Sequence, residues 1–309
     1  MPFVNISSRQ YLFRNINCNI CNIDKTVFLG ERNPLAFNLS KKLISKIVKC
    51  KNCDLIYANP MPFPTKEQFN HNYGNADEYF PNAISHARLI GYNHLLKNIS
   101  TYVPSGKLLD VGCGRGELLY VAQKQGWQVK GVELSENFAH FAKQRFGLNI
   151  EVGNIKNLNF KDEEFDVICL ISVLQHTYDP QEILHELHRI LKKKGLLFIE
   201  TMNQDSWVYK FSDLYLNFGS QKRTSHLSPT FPSYQVYGFS PKSISKILKL
   251  TGFKIIKQHI TGGVNSPEKK SQTQILIKFL KLIRKIIIRL SIMINKGQVL
   301  MVYAQKEYH

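Results

Sequence analysis

The sequence has few acidic residues, few cysteines and no long apolar run, and each shortage excludes a class of protein. Its 309 residues contain 23 Asp and Glu against 41 Lys and Arg, which gives a formal net charge of +18 and a pI near 9.6. No apolar run is long enough to span a bilayer, and residues 1–8 lack the basic and apolar segments of a signal peptide. We therefore expect a cytoplasmic protein with an acidic partner: anionic lipid, a phosphorylated substrate or nucleic acid.

The six cysteines are too few, in a reducing compartment, to predict a disulfide framework. Four of them form two C-x-x-C pairs, Cys18 with Cys21 and Cys50 with Cys53. Two such pairs can complete a closed four-sulfur zinc site, which has a folding role because it keeps no open coordination position. Buried thiols without metal are the alternative, and the remaining two cysteines, Cys113 and Cys169, are predicted to be core residues.

The centre of the chain is a glycine-rich turn, L-D-V-G-C-G-R-G-E-L-L over residues 109–119. An apolar run suited to a buried strand precedes it, and a helical pattern follows. Such a turn brings main-chain N–H groups close to a ligand, because glycine has no Cβ to hold the ligand away. The third glycine of the dinucleotide fingerprint G-x-G-x-x-G is missing, since Glu117 stands there, and its carboxylate would repel a pyrophosphate.

The turn resembles motif I of class I S-adenosylmethionine-dependent methyltransferases, which is close to L-D-hydrophobic-G-x-G-x-G. The resemblance implies that this stretch holds the methionine end and the ribose of the cofactor, through Asp110, Gly112, Cys113, Gly114 and Gly116. After the next predicted strand come Glu133 and Leu134, and an acidic residue at that place accepts ribose hydroxyls in both NAD and S-adenosylmethionine sites. The resemblance also places residues after the third and fourth strands at the cofactor: Asn154, Ile155 and Ser172. For Asn154, an ordinary turn asparagine is the alternative.

Alternating strand and helix patterns predict the α/β class, with a Rossmann-like seven-stranded sheet that is parallel except for one antiparallel strand. Phe165–Ile171 is a near-continuous apolar run, as expected for a central strand that is covered on both faces. Residues 253–260 and 297–305 are the predicted sixth and seventh strands. In such sheets the ligand binds at the carboxyl ends of the strands.

Residues 165–203 resemble the family pattern F-D-x, an apolar run, x-L-E-H-x-x-D-P and R-x-L-K-x-G-G. Gln175 stands where many relatives have the glutamate that acts as metal ligand or base, which leaves His176 as the ionisable side chain near the expected methyl group. An imidazole can act as a general base near neutral pH. The alternative is a histidine that ties the loop to the next helix.

Residues 224–253 resemble a family segment, H-x-x-x-F-S-P followed by a helix and G-F, and this resemblance makes His226 the second candidate base. It lies in an aromatic, irregular insertion at about 202–240, which we interpret as a substrate lid. Tyr79, in an aromatic stretch ahead of the glycine turn, is a third candidate for the catalytic cleft. For both residues, ordinary packing is the alternative.

We predict three regions: a zinc-ribbon-like module at 1–60 that ends in a rigid linker at 59–64, a helical lead-in at 61–104, and a methyltransferase domain at 105–309. The last region contains a basic amphipathic helix at about 274–296, with one cationic stripe: Lys278, Lys281, Lys285 and Arg289. The helix (275–294) fits an anionic membrane interface at the inner face of the membrane. Capping of the core and a dimer contact are the alternatives.

The resemblance implies S-adenosylmethionine as cofactor and methyl transfer without a catalytic metal. Family members with a zinc ribbon act on small molecules, so we expect a small-molecule acceptor, such as a nucleotide-linked sugar, a saccharide or a lipid-linked compound. An RNA methyltransferase whose ribbon and basic tail hold phosphates is the alternative enzyme. A cofactor-binding protein without catalysis, suggested by Gln175, and an NAD-dependent oxidoreductase are further alternatives.

Overall fold

The computed structural model of the chain describes residues 4–6, 9–32, 45–65, 86–217, 222–227, 235–262 and 288–307. Its largest sheet has seven strands in the order β14-β15-β11-β10-β7-β8-β9. These are β7 (Lys107–Val111), β8 (Gln128–Glu133), β9 (Ile150–Val152), β10 (Phe165–Ile171), β11 (Leu191–Met202), β14 (Phe253–Thr261) and β15 (Val299–Lys306). The strand β15 runs antiparallel to both neighbours, whereas β7 to β11 are parallel. The predicted α/β sheet with one antiparallel strand is confirmed.

Six helices are described in full: α1 (His86–Ser100), α2 (Glu117–Lys124), α3 (Glu136–Phe146), α4 (Pro180–Ile190), α5 (Trp207–Leu216) and α6 (Pro241–Leu250). Local caps set several of their ends. Ser135 Oγ accepts the N–H of Phe138 at the start of α3, and Asp179 Oδ1 accepts the N–H of Glu182 at the start of α4. Among the described residues, no helix is both long enough and apolar enough to cross a membrane.

The boundary between α4 and β11 is abrupt. The helix ends at Ile190, and β11 begins at once with Leu191, which is paired with Phe165. The amine of Lys192 donates to both carboxylate oxygens of Asp166, at 2.8 and 2.9 Å. This contact between neighbouring strands has no counterpart in the local sequence pattern.

Two smaller sheets contain the N-terminal residues. One has the order β1-β2-β6 and the other β12-β3-β4-β5-β13. Their strands are β1 (Val4–Ile6), β2 (Arg9–Arg14), β3 (Thr26–Arg32), β4 (Lys46–Cys50), β5 (Ile56–Ala58), β6 (Met61–Pro64), β12 (Arg223–Thr224) and β13 (Tyr237–Gly238). The expected linker at 59–64 is thus wrong in part, because its last four residues form β6.

The insertion at about 202–240 joins the N-terminal sheet to the large one. It supplies β12, which pairs with β3, and β13, which pairs with β5. One hydrophobic cluster contains residues of the N-terminal strands, the insertion and the large sheet, from Cys18 to Ala304. The stretch that was expected to be irregular therefore contains a helix and two short strands. Tyr79 and residues 274–287 of the predicted basic helix lie outside the described residues.

Candidate active site

A sharp turn between β7 and α2 lies at the carboxyl edge of the large sheet. Its glycines, Gly112, Gly114 and Gly116, have φ angles of 71°, 53° and 77°, a region that residues with a Cβ enter only at a cost. A Cβ on Gly112 would lie 2.5 Å from Val173 Cγ2, and one on Gly116 would lie 2.5 Å from Leu148 Cδ1. Glycine is therefore required here for backbone conformation and for close packing.

Glu133 ends β8 and reaches this turn. Its Oε2 accepts the N–H of Gly114 at 2.8 Å, and its Oε1 accepts the N–H of Ser135 at 3.0 Å. Burial raises the pKa of the Glu133 carboxyl, and these backbone hydrogen bonds oppose the rise. Each oxygen has a second lone pair for another donor. The carboxylate is thus held in position and can still accept hydrogen bonds from a ligand.

Asp110 lies in β7, directly before the turn, and is only 4% exposed. Its Oδ1 has no hydrogen-bond partner among the described residues. Burial, and then the negative charges of Glu133 and Glu117, raise its pKa well above the ordinary value. A buried carboxylate without a partner is costly, and a cation between these acids would relieve that cost. The site therefore favours a positively charged ligand.

Two arginines that the sequence analysis did not identify lie beside these acids. Arg115 Nη2 donates to Glu117 Oε1 at 2.6 Å, and both side chains are buried. Arg88, on α1, lies 3.7 Å from the same oxygen and is 42% exposed. Its charge also opposes the rise that burial causes in the pKa of Glu200, at the carboxyl end of β11. No motif marks a basic residue on the preceding helix, so only the packing of α1 reveals its position.

Three other residues that were predicted to bind the cofactor differ from one another in burial. The side chain of Cys113 is buried, and burial raises the pKa of its thiol. Ile155 is also buried, whereas Leu134 is 37% exposed.

Two polar residues of the predicted set lie at strand ends. Asn154 Oδ1 accepts the N–H of Lys156 at 3.2 Å and caps a short 3-10 helix, which is the turn role of the alternative interpretation. The N–H of Ser172 donates to the carbonyl of Glu200 at 2.9 Å, so it links the ends of β10 and β11.

His176 is half-buried and ends a short 3-10 helix that follows β10. Its neighbour Gln175 is 3% exposed, and Gln175 Oε1 accepts a hydrogen bond from the hydroxyl of Thr201 at 3.0 Å. The carbonyl of Gln175 accepts the N–H of Val236 at 2.9 Å. Gln175 is therefore a packed residue that links this loop to the insertion.

His226 is 8% exposed and is held by residues of the insertion. Its Nδ1 lies 2.8 Å from Gln204 Oε1, its ring stacks on Tyr209, and its Nε2 lies 3.7 Å from Asp213 Oδ2. Because an amide oxygen only accepts, Nδ1 carries the proton and Nε2 has the free lone pair. Burial lowers the pKa of His226 to about 4, and the charge of Asp213 opposes this shift. His226 is therefore neutral at pH 7 and can accept a proton only at Nε2.

The sequence did not predict which residues surround His226. Gln204 is the second residue after β11, and polar residues after strands were a usable signal. Tyr209 and Asp213 are four residues apart on α5 and so share one helix face. We call α5 together with residues 222–227 and 235–240 the insertion wall.

The insertion wall is bonded to the N-terminal strands. Tyr237 is paired with Tyr57 and Arg223 with Glu31, in β13–β5 and β12–β3 respectively. Nη2 of the buried Arg32 donates to the carbonyl of Gln235 at 2.8 Å. The N-terminal strands thus form the support of the wall that contains His226.

The four paired cysteines come together where the loop between β2 and β3 meets the turn between β4 and β5. The sulfurs of Cys18, Cys21, Cys50 and Cys53 all lie within 4.8 Å of one another. A tetrahedral zinc ion with Zn–S bonds of about 2.3 Å separates its sulfurs by about 3.8 Å. Small movements of the four thiols would therefore let all of them bind one zinc ion.

Each C-x-x-C pair is followed by a residue with positive φ, Asn22 (53°) and Asp54 (62°). The N–H groups of these residues donate to the carbonyls of Cys18 and Cys50, at 2.8 and 3.0 Å. Both pairs therefore form tight turns that direct their thiols to one point, and the donor set fits a metal ion.

Comparison with known proteins supports a methyltransferase. Residues 109–199 match a family model described as a methyltransferase domain. An uncharacterized protein of Methanocaldococcus jannaschii is 29% identical over 168 residues, which cover 54% of this chain and 73% of that protein. A ubiquinone biosynthesis O-methyltransferase of Coxiella burnetii is 33% identical over 110 residues, 34% of this chain and 47% of that protein. The matched segment thus spans about half the length of that enzyme.

A solved structure has the same fold. The crystal structure of a SAM-dependent methyltransferase from Archaeoglobus fulgidus matches with a TM-score of 0.50 at 18% identity, over 74% of this chain and 97% of that chain. This likeness and the sheet order show the class I methyltransferase fold, and the family match places a methyltransferase domain at residues 109–199.

Proposed function

We propose that the protein transfers a methyl group from S-adenosylmethionine to a small-molecule acceptor. The observation that supports this most directly is the buried Asp110 carboxylate beside Glu133. S-adenosylmethionine combines positive charge, on its sulfonium and ammonium groups, with two ribose hydroxyls. A site with one unpartnered carboxylate and one carboxylate held by backbone N–H groups fits that combination.

In this proposal, each acid has a separate task. Glu133 accepts the ribose hydroxyls, and Asp110 faces the positive end of the cofactor. Arg88, at the rim of the site, binds the carboxylate of the methionine part. The bound cofactor supplies an electrophilic methyl group on a positively charged sulfur. The chain itself has to hold acceptor and cofactor in line and exclude water.

We assign proton removal to His226, with His176 as the second candidate. His226 is neutral at pH 7 because burial lowers its pKa to about 4. Its Nδ1 is occupied by Gln204, so Nε2 is the atom that takes the proton. Gln175 is packed against Thr201, which does not suit a base and agrees with assigning the task to a histidine.

For the acceptor, we propose a nucleotide-linked sugar, a saccharide or a lipid-linked compound. The relative named for ubiquinone biosynthesis supports a small molecule, and the net charge of +18 supports an anionic group on it. We also propose a zinc ion at the four cysteines, where it would have a folding role because four thiolates complete its coordination.

The test is calorimetric titration of the purified protein with S-adenosylmethionine, S-adenosylhomocysteine and NAD, with Asp110→Ala as the control variant. We expect micromolar binding of the first two ligands and its loss in the variant. Binding of NAD alone would overturn the proposal.

Transfer of labelled methyl groups to nucleotide sugars, lipid extracts and RNA then identifies the acceptor. Loss of transfer with retained cofactor binding in His226→Gln would support the assigned base. Label in RNA alone would favour the RNA methyltransferase. Cofactor binding without transfer to any acceptor would favour a non-catalytic protein.

A further inference from the structure

Exposed apolar side chains are concentrated in one part of the described structure. Fourteen large hydrophobic side chains are exposed among the described residues, and nine of them lie on β3, on α5 or in residues 288–294. Single exposed apolar residues are ordinary, but a contiguous group marks an interaction surface.

The helix α5 has two different faces. Tyr209 and Asp213 point inward and hold His226, as described above. The other face exposes Phe211, Leu214 and Tyr215, whose exposed fractions are 44%, 65% and 78%. The same helix therefore holds the candidate base His226 on one face and exposes an apolar surface on the other.

The carboxyl end of α5 is bonded to β12, next to β3. The amide side chain of Asn217 exchanges hydrogen bonds with the backbone of Arg223, at 2.9 and 3.0 Å. Nearby, the amine of Lys222 donates to the carbonyl of Phe28 at 2.9 Å and lies 5.6 Å from the centroid of its ring. Phe28 and Val27 are 39% and 41% exposed.

The amino end of α5 is bonded to the segment that precedes β15. The N–H of Trp207 donates to the carbonyl of Lys296 at 3.2 Å. Just before Lys296, residues 288–294 expose Leu290, Met293 and Ile294, by 49%, 80% and 47%. We call α5, residues 27–28 and residues 288–294 together the α5 surface.

Cations accompany these apolar groups. Lys210 on α5 is 58% exposed, and Lys222 and Arg289 are also exposed. The sequence continues this pattern with the cationic stripe of residues 278–285, outside the described residues. Aromatic and aliphatic side chains between Lys and Arg are the composition of surfaces that lie at the headgroup level of a bilayer.

We propose that the α5 surface binds an anionic lipid bilayer. The positive charge opposes a second copy of the same surface. Six of its nine exposed apolar side chains are aliphatic, which favours an acyl boundary over the stacked bases of a nucleic acid. Anionic headgroups satisfy the cations while the acyl boundary takes up the apolar side chains. Because Tyr209 and Phe211 lie on opposite faces of one helix, a docked protein has His226 beside the bilayer. The consequence that the methyl acceptor is lipid-linked rests on the proposed function, but bilayer binding does not.

The test is sedimentation of the full chain with phosphatidylcholine vesicles that contain or lack phosphatidylglycerol. We expect binding to the anionic vesicles that weakens in salt. Leu214→Ser combined with Tyr215→Ser should weaken it about tenfold or more, since each side chain loses burial in the acyl boundary. Arg289→Gln should weaken it about fivefold. The matched control is Ile90→Ser with Leu250→Ser, two residues with exposed fractions of 45% and 51% outside this surface.

Titration with S-adenosylmethionine is run on every variant and separates this proposal from the proposed function. Retained cofactor binding shows that a variant is folded. Absent vesicle binding, equal loss in the control variant, or binding to RNA but not to vesicles would overturn the bilayer proposal. A change of oligomeric state in the double variant without vesicle binding would assign the surface to a second copy of the chain instead.

Discussion

The imidazole ring of His226 stacks on the phenol ring of Tyr209, with centroids 4.9 Å apart and planes inclined by 20°. Burial lowers the pKa of His226 to about 4 and raises that of Tyr209 to about 12. Neither ring is charged at neutral pH, and the contact holds residues 222–227 against α5. Folding of the insertion wall is thereby coupled to the protonation of one histidine.

The contribution of His226 to the free energy of unfolding should fall as the pH drops from about 6.5 to 4. In that range the unfolded chain binds a proton that the folded His226 does not, so acid favours unfolding. The full effect is about 3 kcal/mol, since each tenfold change in proton affinity corresponds to about 1.4 kcal/mol. The charges that act on His226 are those of Asp213, Asp205, Lys49 and Lys210.

Urea unfolding of the wild type and of His226→Gln at several pH values measures this effect. The stability of the variant relative to the wild type should rise as the pH drops from 6.5 to 4, because the other titrating groups affect both proteins alike. Tyr209→Phe is the control, because it keeps the ring contact and the histidine. An unchanged slope in His226→Gln would show that another group is responsible.

Asp110→Asn should make the cofactor-free protein more stable and weaken cofactor binding. Burial raises the pKa of Asp110, so ionisation of this one carboxyl lowers the stability of the folded protein as the pH rises above about 3.9, the ordinary value for Asp. The uncharged amide of the Asn variant avoids this loss. The gain in its free energy of unfolding over the wild type should therefore grow as the pH rises. Loss of a hydrogen bond to a charged partner costs about 1.5–3 kcal/mol, or about tenfold to a hundredfold in affinity.

Thermal unfolding with and without S-adenosylmethionine tests both parts of this prediction. The Asn variant should have a higher Tm alone and a smaller upward shift with the cofactor. Asp162→Asn, at an exposed carboxylate, serves as the control. A variant with a lower Tm alone would show that Asp110 has a stabilising partner in the folded protein.

Gly112→Ala should cost more stability than Gly126→Ala, although both glycines have positive φ angles, 71° and 88°. A Cβ on Gly126 meets no atom within 4 Å, so only the left-handed backbone costs energy, about 1–2 kcal/mol. A Cβ on Gly112 would also lie 2.5 Å from Val173 Cγ2. Adding Val173→Ala to Gly112→Ala should therefore restore part of the stability, as measured by urea unfolding. Equal losses at the two glycines would contradict this account.

Removal of zinc should loosen the insertion wall. Two of the four cysteines, Cys50 and Cys53, lie in and next to the turn that connects β4 to β5, and β5 is paired with β13. We expect one zinc ion per chain, and its removal by a chelator should speed amide hydrogen exchange at residues 235–240.

Cys50→Ser should have the same effect on exchange, with Cys169→Ser, at a separate buried thiol, as the control. Unchanged exchange after verified zinc removal would show that the strands hold the wall without the metal.

Much of the large sheet and of its glycine turn could be predicted from the sequence, because the signals are local. The apolar run of residues 165–171, the glycines of the turn and the cap residue Ser135 each determine a strand, a turn or a helix start from adjacent residues. Parallel strands then bring Asp110 and Glu133 to the same edge of the sheet, so the positions of the acids followed from the pattern. The two C-x-x-C pairs likewise predicted the four-thiol cluster.

The remaining features depend on contacts between distant parts of the chain. Strands of two residues, such as β12 and β13, have no periodicity that a sequence pattern could show, and they exist because β3 and β5 offer unpaired edges. The contact between Arg88 and Glu117 and the contacts of His226 also join residues that no local pattern connects. The sequence alone therefore determined the α/β core, the glycine turn and the cysteine pairs, since neighbouring residues specify them. Tertiary structure decided which side chains surround His226 and which face of α5 stays exposed, because both depend on how the insertion packs on the N-terminal strands.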